Sequence, residues 1–121
     1  MDPIRLHLTR SEAGPHVIEG GLPYLVASWS RFASEVEARE ERWYGEEWMN
    51  DLDTREILED LFDHVPASHV AVAEVNVADA RFLSAAIAVD DCQWGEVNVV
   101  RNGWTREKNW WYWHRPPMPY L

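Results

Sequence analysis

The sequence predicts an α+β fold in which two amphipathic helices pack on an antiparallel sheet of about four to five strands. Three observations support this fold class. Apolar residues recur with helical spacing over 22–43 and 54–65, short runs rich in Val, Ile, Phe and Ala follow the second of these, and Asn102-Gly103 is a strong hairpin signal. With 121 residues, 46% of them hydrophobic, the chain fits a single domain spanning 1–121 that is long enough to bury a core.

The two predicted helices have recognisable ends. The first carries one apolar stripe, with i, i+4, i+7 and i+11 spacing, formed by Leu25, Trp29, Phe32 and Val36. Gly45 is expected to end that helix as a C-cap. Asp53 is expected to cap the second helix, with Glu56 three residues later completing a capping-box pattern. Pro66 should stop it.

Five strands are predicted, at about 4–9, 69–77, 81–89, 96–101 and 109–114. The first alternates apolar and polar residues, which is the period of a half-buried strand. The second and third are apolar on both faces and should form the sheet centre, joined by a turn at Ala78-Asp79-Ala80. The fourth leads into Asn102-Gly103, and the fifth is the aromatic run. A further short strand at His16–Glu19 is possible between the Gly-rich turns of 11–21.

The negative charge of the chain is concentrated in residues 35–63. This segment holds twelve acidic and three basic residues, a net −9, while the whole chain carries −10. Such a chain lacks the basic footprint that nucleic acid or an anionic membrane requires, so neither is expected as a direct partner. A basic protein, attracted by electrostatic steering, is the partner that this charge favours.

Within that segment the second helix has an acidic side. At 100° per residue its carboxylates fall opposite the apolar side, and no base of this helix shares their side. We call these four residues the stripe: Glu56, Glu59, Asp60 and Asp63. The sequence predicts a partner-binding surface made of this stripe and of the neighbouring Glu46, Glu47, Asp51 and Asp53. The plainer alternative is a solvated helix face. Because like charges repel at these spacings, amide substitutions in the stripe should preserve or raise stability.

The aromatic run near the end of the chain suggests a second contact surface. On a strand over 109–114, Trp111 and Trp113 would share one face, and Trp110 and Tyr112 the other. Trp111 and Trp113 are predicted to be partner-binding anchors, because Trp and Tyr dominate binding hot spots. A ligand platform, or an arrangement with both faces covered, remains an alternative.

No catalytic or metal-binding motif is present, so the sequence predicts neither an enzyme, a metal site nor a cofactor. HExxH, CxxC, Gly-x-Ser-x-Gly and phosphate-binding glycine loops are all missing. His64 and His69 flank a helix exit containing proline, which is poor ligand geometry. Cys92 adjoins Asp90 and Asp91, whose charges oppose a reactive thiolate.

The chain is expected to be cytoplasmic. Cys92 is the only cysteine, so no internal disulfide can form, and the first twenty residues lack the basic and apolar regions of a secretory signal. The longest apolar stretches are far shorter than a membrane span.

The sharply acidic segment, the missing catalytic signature and the aromatic tail ending in proline (109–118, NWWYWHRPPM) together give a profile that resembles the small immunity proteins of bacterial polymorphic and contact-dependent toxin systems. This resemblance implies a protein that binds a cognate toxin domain, for example a basic nuclease, and blocks it. Two alternatives stay open. One is another acidic binding or regulatory protein, such as a phage-type DNA-mimic anti-defence factor, and the other is a small-ligand-binding domain that uses the Trp-rich C-terminal region.

Overall fold

The chain is mainly helical. The computed structural model describes residues 2–43 and 46–117. It contains five α-helices in that range: α1 Pro3–Arg10, α2 Pro15–Glu37, α3 Glu47–His64, α4 Val72–Leu83 and α5 Glu96–Asn102. The strands are β1 Ile87–Ala88 and β2 His114–Arg115, which pair antiparallel. The predicted α+β fold with four to five strands is therefore wrong.

The segment of the predicted strand 4–9 forms α1. Asp2 caps this helix, because its side chain accepts a hydrogen bond from the backbone N–H of Ile4 at 3.0 Å. Pro3 occupies the first turn, where its missing N–H leaves no bond unmade. Asp2 and Pro3 are typical of a helix start, and the segment is helical although apolar and polar residues alternate after them.

α2 begins at Pro15, so the predicted short strand at 16–19 is also wrong. Gly21 interrupts the helix with φ 61° and ψ −153°, a conformation open to glycine and costly for other residues. Pro23 follows the interruption and lies in the first turn of the restarted helix, where proline is tolerated. The predicted apolar stripe is confirmed: Leu25, Trp29, Phe32 and Val36 are all buried.

The connection between α2 and α3 differs from the prediction at both ends. α2 ends at Glu37 instead of 43, and the predicted cap at Gly45 lies outside the described residues. α3 begins at Glu47, well before the predicted start at 54, so Asp53 is not a helix cap. The predicted stop at Pro66 agrees with the end of α3 at His64.

The predicted central strands 69–77 and 81–89 are largely helical. A 3₁₀ helix, Pro66–Ala71, leads directly into α4, and the proposed turn at Ala78-Asp79-Ala80 is part of α4. Val75, Ala78, Asp79 and Phe82 are its buried residues, and they have helical spacing. Only Ile87–Ala88 of the third predicted strand is extended.

The last two predicted strands are wrong as well. Residues 96–101 belong to α5, and Gly103 ends it in the left-handed conformation, φ 66° and ψ 27°, instead of forming a hairpin. Residues 110–113 form a second 3₁₀ helix, Trp110–Trp113, and only the next two residues pair with β1. Gln93 ties this region together by donating its backbone N–H to the carbonyl of Tyr112 at 2.8 Å.

The core is aromatic and lies where α2 packs against α3 and α4. The rings of Trp29 and Phe82 have centroids 5.3 Å apart, and those of Phe32 and Trp48 are 5.1 Å apart. Trp111 from the second 3₁₀ helix is fully buried beside them. Across the described residues, no helix combines the length and apolar character needed to cross a membrane.

Candidate functional site: the α3 stripe and the acidic junction

The α3 stripe has basic partners from elsewhere in the chain. The Lys108 ammonium donates to the carboxylates of Glu59 and Asp63, the latter at 2.9 Å, and Arg55 Nη1 donates to Glu59 at 3.0 Å. Lys108 lies in the segment between α5 and the second 3₁₀ helix. No base of α3 itself shares this side with the stripe, but tertiary folding brings Lys108 there.

Arg55 is buried beneath the stripe and links it to α4. Its guanidinium forms a two-pronged pair with Asp79, Nε to Oδ1 at 2.9 Å and Nη2 to Oδ2 at 3.0 Å. Trp29 Nε1 also donates to Asp79 Oδ1 at 2.9 Å, and the guanidinium carbon lies 4.5 Å from the ring centroid of Trp111. Only 5% of Arg55 is exposed.

Glu56 is the stripe carboxylate most affected by its surroundings. Asn109 Nδ2 donates to Glu56 Oε1 at 2.6 Å. Burial raises the pKa of Glu56 from 4.5 to about 7, and the nearby charges of Glu59 and Asp60 act in the same direction, while the Asn109 hydrogen bond opposes the shift. At neutral pH a substantial fraction of Glu56 is therefore protonated and can donate a hydrogen bond.

Asp60 lies between two histidines. His7 Nε2, from α1, is 2.6 Å from Asp60 Oδ2, and His64 Nδ1, one helical turn further along α3, is 3.1 Å from Asp60 Oδ1. The two imidazole rings are nearly parallel, with centroids 5.4 Å apart. Asp60 thus connects the end of α1 to the last turn of α3.

A polar cleft of about 590 Å³ opens beside the stripe. Its walls come from α3, from Ser11 after α1, and from the end of α5 with the segment that follows it. The lining includes Glu56, Asp60, Asn102, Trp104, Lys108 and Asn109. Trp104 stacks on Tyr112 with ring centroids 4.2 Å apart, which fixes the aromatic wall. The cleft combines an aromatic surface, a lysine and a carboxyl group with a pKa near neutrality, a set that can bind a small polar molecule.

Two other predicted site residues support the fold. Asp53 accepts hydrogen bonds from the hydroxyl of Tyr112 at 2.6 Å and from Trp94 Nε1 at 3.0 Å. Asp51 lies 3.4 Å from Arg42. Burial raises the pKa of both carboxyl groups, and Arg42 opposes that shift at Asp51. Both side chains are half-buried and already contact other side chains of the protein. Their role in partner binding stays a prediction.

The second acidic region differs in its exposure. Five exposed glutamates flank the α2–α3 connection, and we call them the acidic junction: Glu37, Glu40, Glu41, Glu46 and Glu47. Over 2–43 and 46–117, none of their carboxylates lies within 4.0 Å of a basic nitrogen. Arg39 in the same stretch is exposed, whereas Arg42 pairs with Glu35 and lies over the ring of Trp43, 4.8 Å from its centroid.

The two tryptophans predicted as partner anchors are core residues. Trp111 has no exposed surface and Trp113 retains 8%. They also do not alternate with Tyr112, because all three lie in one 3₁₀ turn and all three are buried. A partner could not contact Trp111 without rearrangement of the core, and it could reach only the small exposed part of Trp113.

Sequence reasoning missed three side chains that contact the stripe: His7, Asn109 and Lys108. One local signal was available, since Asp60 and His64 are four residues apart and therefore adjacent on a helix. Lys108 is the only lysine in the chain, which marks it as unusual without locating it. No local pattern connects it to Glu59, which is 49 residues away.

Comparisons with known proteins add no relative. No protein-family model matches the chain, and comparisons with curated proteins and with solved structures give no significant match.

Proposed function

We propose that this protein is a cytoplasmic immunity protein that binds a basic bacterial toxin domain through the acidic junction and thereby inhibits it. The observation that carries the proposal is the contrast in charge pairing. The glutamates of the acidic junction are exposed and have no basic partner among the described residues, whereas each carboxylate of the α3 stripe contacts a side chain from elsewhere in the chain. The acidic junction therefore gathers five available carboxylates at one place on the surface.

Electrostatics favours this surface for fast association. Exposed carboxylates on a short connection repel one another and contribute little to folding, so a basic partner gains their attraction without breaking internal pairs. Such attraction mainly raises the association rate and weakens as salt is added. The buried Trp43 anchors the connection against Phe32 and Trp48, with ring centroids 5.6 Å and 5.1 Å away. The α2 side of the connection is thus tied to the core at Trp43.

The test is co-expression with the product of the gene adjacent to this one in its native genome, which the proposal expects to be a toxin domain. We expect the protein to restore growth and to co-purify with the toxin domain. A junction variant carries Gln at four positions: Glu40, Glu41, Glu46 and Glu47. It should associate at least about tenfold more slowly at low salt and lose most of the salt dependence of the association rate.

A matched control removes the same number of charges elsewhere, by amide substitution of four exposed acids: Glu12, Glu19, Glu74 and Asp91. This control variant should bind almost as fast as the wild type. Equal loss in both variants would show that net charge alone matters and would reject the junction as the docking surface. No binding by the wild-type protein would reject the immunity function. Binding to a DNA-binding protein instead would favour the DNA-mimic alternative.

A second function has support from the polar cleft beside the α3 stripe. Its aromatic wall, Trp104, and the carboxyl group of Glu56 suit a small polar ligand. A panel of small metabolites, tested by thermal shift without a protein partner, would detect such binding. A shift that disappears in Trp104→Ala, while the junction variant retains it, would favour this function over the immunity function.

A further inference from the structure

We propose that His7, Asp60 and His64 form a binding site for a divalent transition-metal ion, with Zn²⁺ as the expected occupant. Each residue offers one ligand atom, and the three atoms all lie within 4.8 Å of one another. The site is independent of the acidic junction. It joins α1 to the last turn of α3.

The donor set selects the class of metal. Two imidazole nitrogens and one carboxylate oxygen suit Zn²⁺ and neighbouring transition metals, whereas Ca²⁺ and Mg²⁺ prefer oxygen ligands throughout. Zn²⁺ with three protein ligands completes a tetrahedron with water, in which neighbouring ligand atoms are about 3.4 Å apart. The present separations, 2.6 Å from His7 to Asp60 Oδ2 and 3.1 Å from His64 to Asp60 Oδ1, are hydrogen-bond distances, and they must lengthen toward this value when an ion binds.

The electrostatic surroundings favour a cation. His7 lies in the last turn of α1 and His64 in the last turn of α3, and helix C-termini carry partial negative charge. Asp60 also acts on Glu56 as a like charge, so the neighbourhood of the cluster is acidic. A bound ion would relieve this repulsion between carboxylates.

One adjustment is needed. Metal ions bind imidazole in the plane of the ring, and the rings of His7 and His64 are nearly parallel, inclined by 18°. His64 must therefore rotate toward the ion and give up its 2.9 Å contact with the backbone carbonyl of Asp60. The rotation is open to it, because 59% of its side chain is exposed, whereas His7 is held closer to the protein surface.

The test is titration of the untagged full-length chain with Co²⁺ followed by Zn²⁺. We expect one equivalent of Co²⁺ to give the strong visible absorption of a four-coordinate ion, Zn²⁺ to abolish it, and Zn²⁺ to raise the melting temperature. His7→Gln and His64→Gln should each lower the affinity by at least about tenfold. Each variant is compared with and without metal, so that a loss of stability from the substitution itself is separated from loss of binding.

Three controls bear on the assignment. His16→Gln and His69→Gln remove exposed histidines outside the cluster and should bind Co²⁺ like the wild type. Cys92→Ser removes the only thiol and should also leave the absorption unchanged. Weak six-coordinate Co²⁺ spectra, or affinity retained in both His7→Gln and His64→Gln, would overturn the proposal.

Discussion

Two acidic regions lie within residues 35–63, and the structure gives them opposite roles. The carboxylates of the α3 stripe contact Arg55, Lys108, His7 or Asn109 and form one wall of a cleft. The acidic junction, at the other end of α3, is exposed and lacks basic partners among the described residues. Charge density is similar in the two regions, but only the stripe is built into the packing.

The difference shows that a charged helix face is not by itself a docking surface. A carboxylate that accepts hydrogen bonds within the protein must break them before it can bind a partner, and this cost offsets the electrostatic attraction. A solvated carboxylate loses only its hydration water on binding. Substitutions in the two regions should therefore change different properties. In the stripe they should change the free energy of unfolding, and in the junction they should change partner binding.

The largest expected effect comes from Arg55→Met. The substitution leaves Asp79 buried without its cation and removes one partner of Glu59. We expect the free energy of unfolding to fall by about 3–5 kcal/mol, the cost of breaking a buried ion pair. Urea denaturation, monitored by circular dichroism, measures this free energy. Arg55→Lys keeps the charge without the two-pronged geometry and should lose less, whereas a loss below about 1 kcal/mol in Arg55→Met would contradict the structural role of the stripe.

The predictability of the fold differed along the chain. The apolar stripe of α2 and the stop at Pro66 follow from local spacing and proline chemistry, and both are confirmed. The helix α4 was missed because Val77 and Leu83 are apolar but exposed, so apolar residues lie on all sides of the helix and hide the helical period. β-branched residues favour strands only as a weak preference, and packing against α2 overrides it here.

The site was less predictable than the fold. Charge counting located the acidic segment, but the partners of the stripe are distant in sequence, with Lys108 lying 45 residues from Asp63. Pairing of that kind depends on the tertiary fold, which the sequence reasoning had wrong. The expectation that amide substitutions in the stripe preserve or raise stability therefore needs revision: for Glu59 and Asp63 we now expect a loss.

Glu56→Gln should have the next largest effect, and with the opposite sign. The pKa of Glu56 is about 7 in the folded protein against an ordinary value of 4.5, so the folded state binds more protons between these values. The free energy of unfolding of the wild type therefore falls as pH rises through this window. Gln cannot ionise, so the variant does not lose stability over this pH range, and its amide oxygen can still accept the hydrogen bond from Asn109. We expect the variant to be more stable than the wild type by about 1–2 kcal/mol near pH 8, allowing for solvent screening.

Near pH 4 the two proteins should unfold at the same urea concentration, because Glu56 is protonated in both states of the wild type at about that pH. Glu74→Gln, at an exposed position on α4, is the matched control and should show no such pH-dependent difference. A Glu56→Gln variant that is no more stable than the wild type near pH 8 would show that Glu56 is more solvated than its contacts indicate.

Lys108→Met tests the exposed part of the stripe. Removing the ammonium leaves Glu59 with Arg55 alone and Asp63 without its cation, and hydrogen bonds to these carboxylates raise the pKa of Lys108 in the wild type. Because Lys108 is largely solvated, we expect a loss of at most about 1 kcal/mol, which should shrink at about 1 M salt. Arg106→Met, which removes a looser pair with Asp90 at 3.5 Å, should lose less. An equal loss of stability in both variants would mean that the ion pairs of Lys108 with Glu59 and Asp63 stabilise the fold no more than the looser pair does.

The smallest effect on stability should come from the junction variant, with Gln at Glu40, Glu41, Glu46 and Glu47. These glutamates are exposed and outside any ion pair among the described residues, so the free energy of unfolding should change by less than about 0.5 kcal/mol. Relief of repulsion between neighbouring carboxylates makes a slight gain the expected direction. Urea denaturation at low and high salt measures it, with the control variant alongside. A loss above about 1 kcal/mol would show that the junction is part of the fold after all, and would remove the distinction between the two acidic regions on which the proposed docking surface depends.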